Sequence, residues 1–159
     1  LWVGGGARVV ETGNQFVMGA LRGGFVLTRP RGPGFLRGNF EYAFDVAPAF
    51  LVFSEKMIYG FEISPFVLKY NFSGNGNIMP YVECGAGFLY TNHPIPYPPA
   101  GTSQINFTPQ AAVGLQFPTS QTQGADIAVK WLHISNANLK ERNPGENSIQ
   151  ILFGYHWIR

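Results

Sequence analysis

The sequence predicts an all-β protein, a single eight-stranded antiparallel transmembrane β-barrel spanning residues 1–159. Three observations predict it. Apolar and polar residues alternate with period two in long runs, as in strands with two unlike faces. The row opposite the apolar one holds Gly, Ala, Asn, Gln, Thr and isolated charges of both signs, not the Lys- and Glu-rich row of a strand facing water. Finally, only 13% of the residues are charged and 15% are aromatic, with 20 Gly and 12 Pro. Soluble domains usually carry about 25% charged residues.

The strands follow in chain order. Segments 2–10 and 16–28 are the first two and are separated by Thr12-Gly13-Asn14. Segment 36–46 sets Leu36, Phe40, Tyr42, Phe44 and Val46 against Arg37, Asn39, Glu41 and Asp45. Segment 59–72 is the fourth, with a bulge expected at Ser64-Pro65, where the parity slips. Segment 80–90 alternates Val82, Cys84, Ala86, Phe88 and Tyr90 with Tyr81, Glu83, Gly85 and Gly87. Segment 105–117 carries one apolar row from Ile105 to Phe117. Segments 124–135 and 148–157 complete the set, and the stretches between strands are rich in Gly, Pro, Asn and Ser. A transmembrane strand needs about 9–11 residues, so a chain of 159 residues accommodates eight with room for turns.

Composition excludes several classes. Disordered chains are poor in aromatics and rich in charge. One cysteine, Cys84, cannot form a disulfide scaffold. No run approaches the ~18 apolar residues of a spanning helix. A net charge of +2 with dispersed Lys and Arg gives no nucleic-acid footprint. The segment at Leu1 has no basic n-region followed by an apolar run. The protein is therefore either cytosolic or has had a signal peptide removed, and the strand pattern favours removal.

A soluble β-protein is the competing architecture. It would direct the apolar rows inward and the second row to water. Small residues and mutually neutralising charges instead suit a narrow barrel interior, where each charge needs a partner. The expectation is that Phe107, Val113, Phe153 and Trp157 point outward. Glu41, Asp45, Glu62, Glu83 and Asp126 should lie inside, compensated by Arg22, Arg37 or Lys130.

The chemistry-bearing stretch is 131–139. Along the seventh strand one parity runs Ala125, Ile127, Val129, Trp131, His133, Ser135. His133 and Ser135 thus continue the apolar, outward row. Polar groups facing lipid are costly without partners, and an imidazole near a hydroxyl is the minimum for an activated serine nucleophile. Two polar residues at a membrane interface are the plainer reading of the same spacing.

His133-Ile134-Ser135-Asn136-Ala137, followed by Asn143-Pro144-Gly145 and a closing amphipathic strand, resembles the signature of the lipid A 3-O-deacylase (PagL-like) family of small outer-membrane barrels. The specific match covers about residues 131–155. The resemblance implies a bacterial outer-membrane esterase that removes the acyl chain ester-linked at position 3 of lipid A, with no cofactor and no metal. It implies Ser135 as nucleophile, His133 as general base and Asn136 as a donor to the oxyanion. It further implies an acidic residue that orients the histidine, at a position held here by Asn147, next to Glu146. An Asn can fix a histidine tautomer but cannot stabilise imidazolium charge as a carboxylate does.

In such a barrel both termini would be periplasmic, and the seventh strand would end in the outer leaflet, beside lipopolysaccharide. The implied partners are lipid A and outer-membrane lipid. A homodimer or association with other membrane proteins stays open. So does a non-catalytic barrel serving as a structural or interaction component of the membrane. The remaining candidates read as structural: Cys84 as an apolar outward residue, His156 as an inward one, and His93 as part of a Pro-rich loop with no zinc pattern.

Overall fold

The computed structural model describes residues 1–8, 15–54, 56–74, 77–95 and 103–157. Within these residues the chain forms nine strands: β1 (Trp2–Arg8), β2 (Gln15–Val26), β3 (Gly38–Phe53), β4 (Met57–Phe72), β5 (Met79–Ile95), β6 (Ser103–Phe107), β7 (Gln110–Pro118), β8 (Gln123–Ile134) and β9 (Glu146–Trp157). Each pairs antiparallel with its neighbours, and β1 joins β9. β6 and β7 lie end to end along β5, so the nine strands make eight staves of a closed ring. Among the described residues, closure pairs every stave on both sides except β6, which beyond the Phe107–Ser135 bridge pairs with β5 alone.

The alternation sorts the two faces as expected. Val113, Phe153 and Trp157 are exposed on the outer wall, and Phe107 shares that wall, its ring 5.3 Å from Phe88. Phe44, Ile63, Val129 and Ile151 extend the belt. An apolar outer wall around a charged interior is the inverse of a soluble barrel and is the build of one that stands in lipid.

The interior has two zones. At the end carrying the 135–145 loop, Phe16, Phe50, Val52, Ile58, Leu89, Leu132 and Ile134 pack into an apolar plug. Beyond it lies a polar network. The Arg22 guanidinium binds Asp45 from Nε and Nη2 at 2.7 and 2.8 Å and Glu83 from Nη1 and Nη2 at 2.7 and 2.9 Å. β2 and β5 are not neighbours, so this arginine is a strut across the lumen.

Two interior expectations need correction. Arg37 is exposed outside the barrel and neutralises none of the carboxylates. Lys130, though buried, touches Met18 Sδ at 3.8 Å. Glu41 instead faces Lys69 at 3.7 Å and accepts from Asn71 Nδ2 at 2.9 Å. Asp126 contacts His156 Nδ1, and Glu62 accepts from the hydroxyls of Ser64 and Thr108. Lys69 lies inside because the register shifts between Ile63 and Phe66. That bulge, at the expected Ser64-Pro65, exchanges the inward and outward rows of β4.

Some strand limits also differ. β3 continues past Val46 to Phe53, since register shifts between Ala47 and Phe50 reset its parity around Pro48. The single strand expected at 105–117 is interrupted at Thr108-Pro109, because proline has no N–H to give the ladder. β5 runs on to Ile95, so His93 belongs to a strand end and not to a loop. Val9 and Val10, expected to end the first strand, lie outside the described residues, as does most of the Pro-rich stretch after Ile95.

Candidate active site

The outer wall changes character where β8 ends. Trp131 is exposed, and the next residues of its row, His133 and Ser135, are half-buried. The Trp131 and His133 rings lie nearly parallel, 19° apart with centroids separated by 6.1 Å. Behind them Leu132 and Ile134 point into the plug, so apolar packing stiffens the wall under the polar pair.

Backbone pairing fixes both residues. His133 N–H donates to Pro109 O at 3.0 Å, and Ser135 exchanges bonds with Phe107 at 2.7 and 3.1 Å. The β6–β7 interruption therefore still receives the end of β8, through the Pro109 and Phe107 carbonyls and the Phe107 N–H. On the other side His133 stands directly opposite Asn147 of β9. Its Nδ1 lies 2.9 Å from Asn147 Oδ1. A carbonyl oxygen only accepts, so this contact puts the ring proton on Nδ1 and leaves Nε2 as the unprotonated nitrogen. Glu146, one residue earlier, has inward parity and is buried inside the barrel.

Ser135 shares the outward row with His133, but among the described residues no side-chain hydrogen bond joins them. Two residues along a strand are about 6.6 Å apart, so hydroxyl and imidazole meet only by leaning toward each other. Asn136 is turned away from that row and buried. Its Nδ2 donates to Arg142 O at 2.7 Å, and its backbone N–H donates to Asn143 Oδ1 at 3.0 Å. Leu139 N–H closes a tight turn on Asn136 O at 2.9 Å, with Ala137 and Asn138 both at positive φ, 52° and 62°. Thus the structure joins His133 to Asn147, aligns Ser135 beside them, and uses Asn136 to order the loop that follows.

One residue of the site was not singled out from sequence. Gly145, at φ +64°, lies against the imidazole: a Cβ there would be 3.0 Å from His133 Cε1 and 3.6 Å from Nε2. Its signal was the Asn143-Pro144-Gly145 turn, which marks a reversal but not what the glycine touches.

A curated relative, lipid A deacylase PagL of Pseudomonas aeruginosa, is 32% identical over 88 residues, which is 55% of this chain and 47% of the relative. The match thus spans about half the length of that relative. Among solved structures, the crystal structure of the outer membrane enzyme PagL shares the fold, with a TM-score of 0.71 at 21% identity over 98% of this chain and 97% of that one. The model of the family described as Lipid A 3-O-deacylase (PagL) matches residues 34–156. That match takes in six of the eight staves and the whole His133 region, and on it the chain belongs to the Lipid A 3-O-deacylase (PagL) family.

Proposed function

We propose that this barrel resides in the bacterial outer membrane and hydrolyses the 3-O-linked acyl ester of lipid A. The observation that carries the reading is the His133 Nδ1 to Asn147 Oδ1 contact on the outer wall. It leaves Nε2 free to take a proton two residues from a serine. Ser135 Oγ attacks the ester carbonyl as Nε2 accepts its proton. The tetrahedral intermediate collapses, the sugar hydroxyl departs with that proton, and water then releases the fatty acid by the same route in reverse. Asn136 follows the nucleophile directly. Its Nδ2 is held by Arg142 O on the buried side, so the oxyanion role that we assign to it requires the amide to turn outward toward Ser135 when substrate binds. Lipid A is taken from the leaflet that surrounds this end of the barrel.

Asn147 also favours a second reading, a barrel of the same family that binds lipid A without turning it over. An amide leaves the imidazolium without a counter-charge at the step where charge develops. Mass spectrometry of lipid A incubated with the refolded protein and its Ser135→Ala variant decides between them. Loss of one 3-O-acyl mass with the parent, and none with the variant, is the expected result. An unchanged lipid A spectrum with the parent protein supports the second reading.

A further inference from the structure

Small membrane barrels usually join their strands by tight turns at one end. At the end away from His133, β2 and β3 are instead joined by residues 27–37, an eleven-residue connection with ordered internal bonding. Arg31 and Gly38 exchange backbone bonds at 2.8 and 2.9 Å, and Leu27 N–H donates to Phe40 O at 2.7 Å. Thr28 Oγ1 accepts from Phe40 N–H at 2.9 Å, and Tyr70 O–H donates to Leu36 O at 2.7 Å.

The loop contains Arg29, Arg31 and Arg37 and no acidic residue. Among the described residues no ion pair is recorded for any of the three. A cleft of about 500 Å³ opens here, lined by Leu27, Arg29, Arg31, Phe40 and Tyr70 among others. Around it Phe25, Val26, Leu27, Phe35 and Leu36 are all exposed, Phe35 at 84%. Consecutive exposed apolar side chains are unfavourable in water. They are in place where the outer apolar belt meets a headgroup layer, and guanidinium groups there pair with phosphate.

We propose that this cleft binds an anionic glycerophospholipid of the leaflet opposite the His133 site. Arg29 and Arg31 hold the headgroup phosphate, and the acyl chains lie along Leu27 and Phe40. The rigid loop gives up little conformational entropy on binding, and the absence of any acid in it selects a net negative headgroup over a zwitterionic one.

The test is native mass spectrometry of the full chain refolded in neutral micelles, titrated with phosphatidylglycerol or phosphatidylcholine. The parent should retain phosphatidylglycerol selectively. Arg29→Gln with Arg31→Gln should weaken retention roughly thirtyfold, while the double Lys variant keeps most of it. Heat-modified gel migration checks that each variant is folded. Ser135→Ala should retain the lipid as the parent does. Equal retention of both lipids, displacement by millimolar inorganic phosphate, retention by the double Gln variant, or loss in Ser135→Ala would each overturn the proposal.

Discussion

An amide oxygen and a carboxylate oxygen orient an imidazole equally well and differ only once the ring is charged. Asn147 already holds Nδ1 at 2.9 Å, so Asn147→Glu keeps the tautomer and adds a counter-charge. The expected result is a rise in lipid A deacylation of about tenfold or more, each decade corresponding to ~1.4 kcal/mol of barrier. Initial rates from lipid A mass spectra check it, and an unchanged or lower rate would refute the assignment of Asn147. Ser135→Ala should abolish hydrolysis whatever stands at 147. Gly145→Ala places a Cβ 3.0 Å from the imidazole at φ +64°. It should lower the rate while the barrel still folds, as judged by heat-modified migration. The neighbourhood of His133 and Asn147 was legible because the family resemblance picked out position 147 and both residues share the outward parity of paired strands. The contact of Gly145 could not, since it depends on a turn conformation that residue types constrain only loosely.

At the scale of the strand, alternation is legible wherever the pleat is regular and fails where a bulge intervenes. The rows of β8 and β9 were readable end to end. Those of β3 and β4 were not, since Pro48 and Pro65 sit at register shifts that exchange inside and outside. Lys69 was missed for that reason. β5 shows a different device. Gly87 leaves space through which Thr108 reaches Glu62 and Gln110 reaches Ser64, side chains from the staves on either side of β5. A Cβ at Gly87 would fall 2.4 Å from Ser64 Oγ and 2.7 Å from Ile63 O. Gly87→Ala should therefore lower stability by about 1–3 kcal/mol, seen as an earlier urea midpoint for the micelle-refolded protein. An unshifted midpoint would mean that the two staves accommodate the methyl group without losing these bonds.

For the barrel as a whole, Arg22 is the main charge crossing the lumen. Its partners Asp45 and Glu83 come from β3 and β5. Arg22→Met strands two interior carboxylates and should cost on the order of 3–5 kcal/mol. Adding Asp45→Asn and Glu83→Gln should recover much of that loss, because no uncompensated charge then remains. Urea unfolding of the three proteins in the same micelles distinguishes this account from simple loss of packing, in which the added changes would restore nothing. The overall architecture could be read from composition and periodicity because every stave must satisfy the same two solvents. Pairings across the lumen could not, since they depend on which side chains the ring brings face to face.

His133 lies on the outer wall and not inside the lumen. A molecule reaching it therefore arrives by two-dimensional diffusion, and encounter depends on its mole fraction in one leaflet, not on its molarity in solution. With lipid A as the proposed substrate, saturation curves should then follow surface dilution: adding inert lipid at fixed total lipid A slows the reaction, while adding buffer does not.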